Sequence, residues 1–115
     1  MTKHNPLIPL QHMIDHAQEA INMLKDLPEN CLDHNRQLEL SVTRLLEIIG
    51  EAANRLPKDI QQRFPDLGWS DIIGLRNRLI HGYESVDNDI VWSVVTHDLP
   101  KLIRNIEQVK KHVAS

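Results

Sequence analysis

The sequence predicts an all-α fold: a single-domain helical bundle of four long helices and a short one. Three observations predict it. Apolar residues recur at three- and four-residue intervals along almost the whole chain, the period of a helix with one buried face. No stretch alternates apolar and polar residues as a half-buried strand does. Prolines at 9, 28, 57, 65 and 100 cut the chain into helix-sized segments.

The first helix is predicted from Pro9 to Leu27, with Leu10, Met13, Ile14, Ala17, Ile21 and Leu24 on one stripe and Pro28 as its stop. The first eight or so residues are expected to form a loose tail to a domain spanning 1–115. A second helix runs from about Asp33 to Leu56, with Leu38, Val42, Leu45, Leu46, Ile49, Ala52 and Ala53 facing the core. Pro57 then opens a short helical turn, KDIQQRF, before a loop at PDLG. Ser70 is the predicted cap of a third long helix, which Gly82 stops. After the turn ESVDN the last helix extends to about Val113. Its stripe from Ile90 to Val109 stays in phase through Pro100, which predicts one helix kinked near that proline. Gly50 and Gly74 fall inside predicted helices at a cost of about 1 kcal/mol each, so close helix contact is their expected reason.

Composition narrows the function. Apolar residues make up 41% and charged residues 25%, as in ordinary globular domains. Aromatics are only 3%, too few for a stacking platform on a sheet. A single cysteine, Cys31, excludes an intrachain disulfide and a Cys-rich zinc site. The opening MTKHNPLIPLQHM lacks a signal peptide's apolar core, and no segment has the roughly 20 apolar residues of a membrane span. A cytoplasmic location is expected. Net charge is −3, so no global basic field attracts nucleic acid, and any RNA contact must be local.

The segment RNRLIHGY, Arg76 to Tyr83, breaks the pattern. On a regular helix Ile72, Ile73, Leu75, Leu79, Ile80 and Tyr83 share a face, and Arg76 falls in its middle. A guanidinium is always charged, so Arg76 must meet a carboxylate, an anionic ligand or a watery cleft, or snorkel to the edge. His81 lies roughly 140° further round, at the predicted helix end, where it either caps carbonyls or borders the same groove. Asn77, one turn earlier, is placed to orient it. Together they suit phosphate chemistry. Metal-free RNA cleavage needs a proton carrier near neutral pH and a fixed fork of donors for the phosphorane oxygens, and histidine and arginine supply these. One histidine does not easily serve as base and acid in a single step. A two-fold dimer would supply two.

R-N-x-x-x-H-x-Y, here Arg76, Asn77, His81 and Tyr83, resembles the signature of HEPN-domain proteins of the HepT toxin type. LEIIGEAANRLP, GWSDIIGLRNRLIHGY and VWSVVTHDLPKLIRNI resemble family blocks in the expected order, covering most of the chain from about residue 10. The resemblance implies a homodimeric bundle and a metal-independent endoribonuclease that acts as the toxin of a toxin–antitoxin pair. Its partner would be a MntA-type minimal nucleotidyltransferase antitoxin, and no cofactor is implied. Carried over by position, Arg76 and His81 are catalytic, Asn77 supports them, and Tyr83 accepts AMP. An adenylyl group there would add bulk and negative charge beside the RNA. The alternative is a non-catalytic HEPN module that docks and regulates the nucleotidyltransferase. Phosphotransfer through His81 ranks well below both.

Other polar residues read more plainly. His12 and His16 have the spacing of a helical metal pair with Glu19 nearby, but no clear fourth ligand follows and a solvated face is the better reading. Glu51 is a candidate carboxylate for orienting Arg76, and its place opposite the main stripe would require it to act across a dimer contact or face water. Lys101, Arg104, Lys110 and Lys111 make the last helix locally basic, which suits contact with RNA backbone, although a charge run on a helix is usually a solvated face.

Overall fold

The computed structural model describes residues 5–81 and 85–114, with the backbone alone at 80, 81 and 85. Helix α1 (Leu7–Leu24) packs against α2 (Arg36–Asn54) and against the C-terminal helix α7 (Leu99–Ala114). Between α2 and α7 lie α3 (Lys58–Arg63), α4 (Trp69–Ile73), α5 (Leu75–Leu79) and α6 (Asn88–Ser93). Two-residue strands β1 (Ile80–His81) and β2 (Ser85–Val86) pair antiparallel between α5 and α6, a small addition to an all-α architecture. The core is the apolar stripe of each helix, with Leu10, Met13, Leu46, Ile49, Leu99 and Ile106 fully buried.

Helix α1 starts two residues before Pro9, so Leu7 and Ile8 are helical rather than part of a loose tail. The first turn needs no intrahelical N–H donors, and Pro9 therefore fits there without losing a bond. The Leu7 N–H instead donates to Asn5 Oδ1 at 3.0 Å. The helix stops at Leu24, ahead of Pro28, where Asp26 takes a left-handed φ of 63°. Helix α2 is capped by Asn35, whose side chain accepts from the Leu38 N–H at 3.0 Å.

The predicted third long helix is two short ones. Gly68, at φ 68°, turns the chain into α4, so Ser70 lies inside the helix and does not cap it. Gly74 (φ −85°, ψ 11°) then separates α4 from α5, and α5 ends at Leu79, three residues before the predicted stop. Gly82 itself lies outside the described residues.

The break has a cause in packing. A Cβ on Gly50 would come within 2.8 Å of the Ile72 carbonyl oxygen and 3.3 Å of that of Ile73. The glycine in α2 thus lets the last carbonyls of α4 rest directly on that helix. The irregularity expected at Pro100 takes the form of a π turn over Val94–Asp98, with the Leu99 N–H reaching the Val94 carbonyl. One wide turn ahead of the proline accommodates its missing donor and its ring.

Candidate active site

Helix α5, LRNRL, is too short to present a full stripe, and its two leucines decide its orientation. Leu75 and Leu79 are one turn apart and buried, which leaves Arg76, Asn77 and Arg78 exposed together. The expectation that Arg76 lies within an apolar face is therefore overturned. It assumed a regular helix through position 74, and the break at Gly74 resets the phase.

Ion pairs among the described residues are Arg36–Glu39, Arg44–Glu47 and Arg44–Glu51, so Arg76 has no carboxylate partner there. Glu51 is bonded by Arg44 at 3.3 Å, and both side chains are about half exposed. Within one chain the carboxylate is engaged by Arg44 and not by Arg76.

His81 is not on the helix. It lies in β1, opposite Ser85, while Ile80 pairs with Val86. The helical i, i+4 relation between Asn77 and His81 and the axial dipole at His81 consequently do not apply. The hairpin is fixed at its base. The Asp87 N–H donates to the Leu79 carbonyl at 2.8 Å, and the Asp87 side chain accepts from the Ile90 N–H at 3.1 Å, capping α6. Next to it, Asn88 Nδ2 donates to Asp33 Oδ1 and Glu39 Oε2, both at 2.9 Å, and so ties α6 to the start of α2. Arg76, Asn77 and the His81 backbone thus occupy one short, anchored stretch. Tyr83 lies outside the described residues.

Arg78, the second arginine of RNR, is not singled out by the motif. It lines a groove of about 200 Å³ between α4–α5 and the π turn with α7, along with Asp71, Asp98, Lys101 and Asn105. At the histidine pair of α1, His16 Nδ1 contacts the His12 carbonyl oxygen at 2.6 Å, and the rings meet edge to face at 6.0 Å. Among the described residues no group of three or more His, Cys, Asp or Glu side chains is arranged to hold a metal ion. No described helix is long and apolar enough to cross a membrane.

Comparison with known proteins bears on this stretch. The family model "Ribonuclease HepT-like" matches residues 8–109. The chain is 35% identical over 95% of its length to the whole of "Putative RNase MJ1380" of Methanocaldococcus jannaschii. It is also similar to "Putative RNase MJ0125" of the same organism, at 31% identity over 89% of this chain and 88% of that one. A third relative is "Probable ribonuclease HepT" of Thermococcus cleftensis, 31% identical over 85% of this chain and 93% of that one. No solved structure matches. With nearly its full length inside the match, the chain belongs to the HepT-like family of ribonucleases.

Proposed function

We propose that the protein is a metal-independent endoribonuclease, the toxin of a toxin–antitoxin pair, acting through Arg76 and His81 in a cleft between two copies of the chain. The observation that carries this reading is the state of Arg76. It is an exposed arginine with no ion pair among the described residues, four residues before a short hairpin that contains the motif histidine. An unpaired guanidinium offers its full donor fork to a phosphodiester.

In the proposed reaction His81 removes the proton of a 2′-hydroxyl, whose oxygen attacks the adjacent phosphorus. The bond to the 5′ oxygen breaks, and a second proton carrier, His81 of the other copy, protonates that leaving oxygen. The products are a 2′,3′-cyclic phosphate and a 5′-hydroxyl. Arg76 stabilises the extra negative charge on the phosphorane. Asn77 positions the substrate or the histidine, and Glu51 would reach Arg76 only across the contact between copies. Silencing follows from attack of the Tyr83 hydroxyl on the α-phosphorus of ATP, catalysed by a MntA-type nucleotidyltransferase, with pyrophosphate leaving.

The test is cleavage of labelled RNA in excess EDTA by wild type and by His81→Ala, after intact mass shows Tyr83 unmodified. Cleavage by wild type alone supports the reading. Equal cleavage by both removes His81 from the mechanism. Absence of cleavage by both replaces the enzyme with a module that docks the nucleotidyltransferase.

A further inference from the structure

We propose that the outer face of α7 is a track for the RNA backbone, formed by Lys101, Arg104 and Lys111 and joined to α5 by Arg78. The proposal rests on the ribonuclease reading above and concerns how the substrate is held beyond the reacting phosphate.

At 100° per residue, Lys101, Arg104, Gln108 and Lys111 fall within a strip about 80° wide. All four are exposed, whereas Leu102, Ile106 and Val109 on the other side are buried. Lys110, basic in sequence, is off this strip, half-buried and hydrogen-bonded to Gln11 of α1. The strip therefore holds three cations and one amide, without an acid.

The exposed arginines of α2 are engaged by neighbouring carboxylates, Arg36 by Glu39 and Arg44 by Glu47 and Glu51. Among the described residues, the lysines and arginine of α7 are not. Glu107 has the spacing to pair with Arg104 and Lys111, yet neither pair forms. The three cations stay available to an anion.

Position links them to the site. Lys101 faces the same groove as Arg78, which lies two residues beyond Arg76 on α5. Asp71 and Asp98 share that groove, so a phosphate is held on its rim and along α7 rather than within it. From Lys101 to Lys111 the strip is about 15 Å long, roughly four nucleotides of a stacked strand. The form of the charge matches: discrete cations along a line suit a polyanion and carry no base preference.

The probe is a 2′-O-methyl RNA oligonucleotide, which lacks the attacking hydroxyl and so survives the protein. Its affinity is measured against salt for wild type, for Lys101→Gln/Arg104→Gln/Lys111→Gln, and for a control, Lys25→Gln/Lys58→Gln, with cations on other elements. A single strand contributes about 0.7 to the log–log salt slope per phosphate neutralised. The triple variant should lose about 2 from that slope and at least tenfold in affinity at moderate salt, while the control keeps both. Each single substitution should take off about 0.7, which guards against a misfolded triple variant. A triple variant that is folded by circular dichroism and binds like wild type overturns the track and leaves the ribonuclease reading standing. A wild-type protein that neither binds this probe nor cleaves RNA overturns both.

Discussion

Gly50 of α2 lies directly beneath the carbonyl of Ile72, with room for no more than a hydrogen between them. That contact joins two segments 22 residues apart and sets where α4 must end. Gly50→Ala would gain about 1 kcal/mol of helix propensity, but its methyl would press on backbone, which yields less readily than a side chain. We expect a net loss of about 1–2 kcal/mol in urea unfolding, together with reduced RNA cleavage because α5 is displaced. Gly74→Ala meets only the Ser70 carbonyl, at 3.0 Å, from a φ that any residue adopts, and should cost less. Equal losses for the two would deny Gly50 its role as the seat of α4.

Arg76→Ala separates activity from stability. The side chain is exposed and has no ion pair among the described residues, so its removal should change unfolding free energy by no more than about 0.5 kcal/mol. Cleavage should fall by a hundredfold or more, and Arg76→Lys should restore little because an ammonium lacks the planar fork. A large fall in stability would mean that the arginine is part of the packing, as a regular helix through position 74 would have required.

That contrast shows what the sequence carried and what it did not. The helical period identified the bundle and nearly every core residue, because each stripe is a local property of its segment. The family resemblance singles out Arg76, Asn77 and His81 as the candidate site residues. Their surroundings were not legible, since the break at Gly74 falls where the carbonyls of Ile72 and Ile73 meet Gly50, and a helical wheel has no term for a contact between distant segments. Pro100 did announce a distortion, but a local rule could not specify that it would become a π turn at Val94–Asp98. The role proposed for Arg78 was not legible for a similar reason, because it depends on Lys101 of a later helix facing the same groove.

The base of the hairpin gives a third expectation. Asp87 caps α6, and Asn88 donates to Asp33 and to the largely buried Glu39. Loss of the cap in Asp87→Ala should cost about 1 kcal/mol, and Asn88→Ala about 1–2 kcal/mol because its bonds are to charged groups. Both substitutions should loosen the start of α6, which the Asp87 N–H ties to Leu79, and so accelerate amide exchange at Leu79 to His81 before global unfolding. Exchange there at the wild-type rate would show that the hairpin does not depend on these anchors.

Regulation at Tyr83 can be tested apart from catalysis. In the proposed mechanism the tyrosine hydroxyl accepts AMP but moves no proton in RNA cleavage, so Tyr83→Phe should cleave RNA at close to the wild-type rate. Incubation with ATP and a MntA-type nucleotidyltransferase should add one adenylyl group to the wild-type chain and abolish its activity, because a phosphodiester then competes for the same cationic groups. Tyr83→Phe should gain no mass and keep cutting under the same conditions. Adenylylated wild type should also bind 2′-O-methyl RNA more weakly, and the difference should shrink as salt rises, since the block is partly electrostatic. If the modified protein bound RNA as tightly as the unmodified one at low salt, the silencing would have to act on the chemistry of Arg76 and His81 rather than on access to the strand.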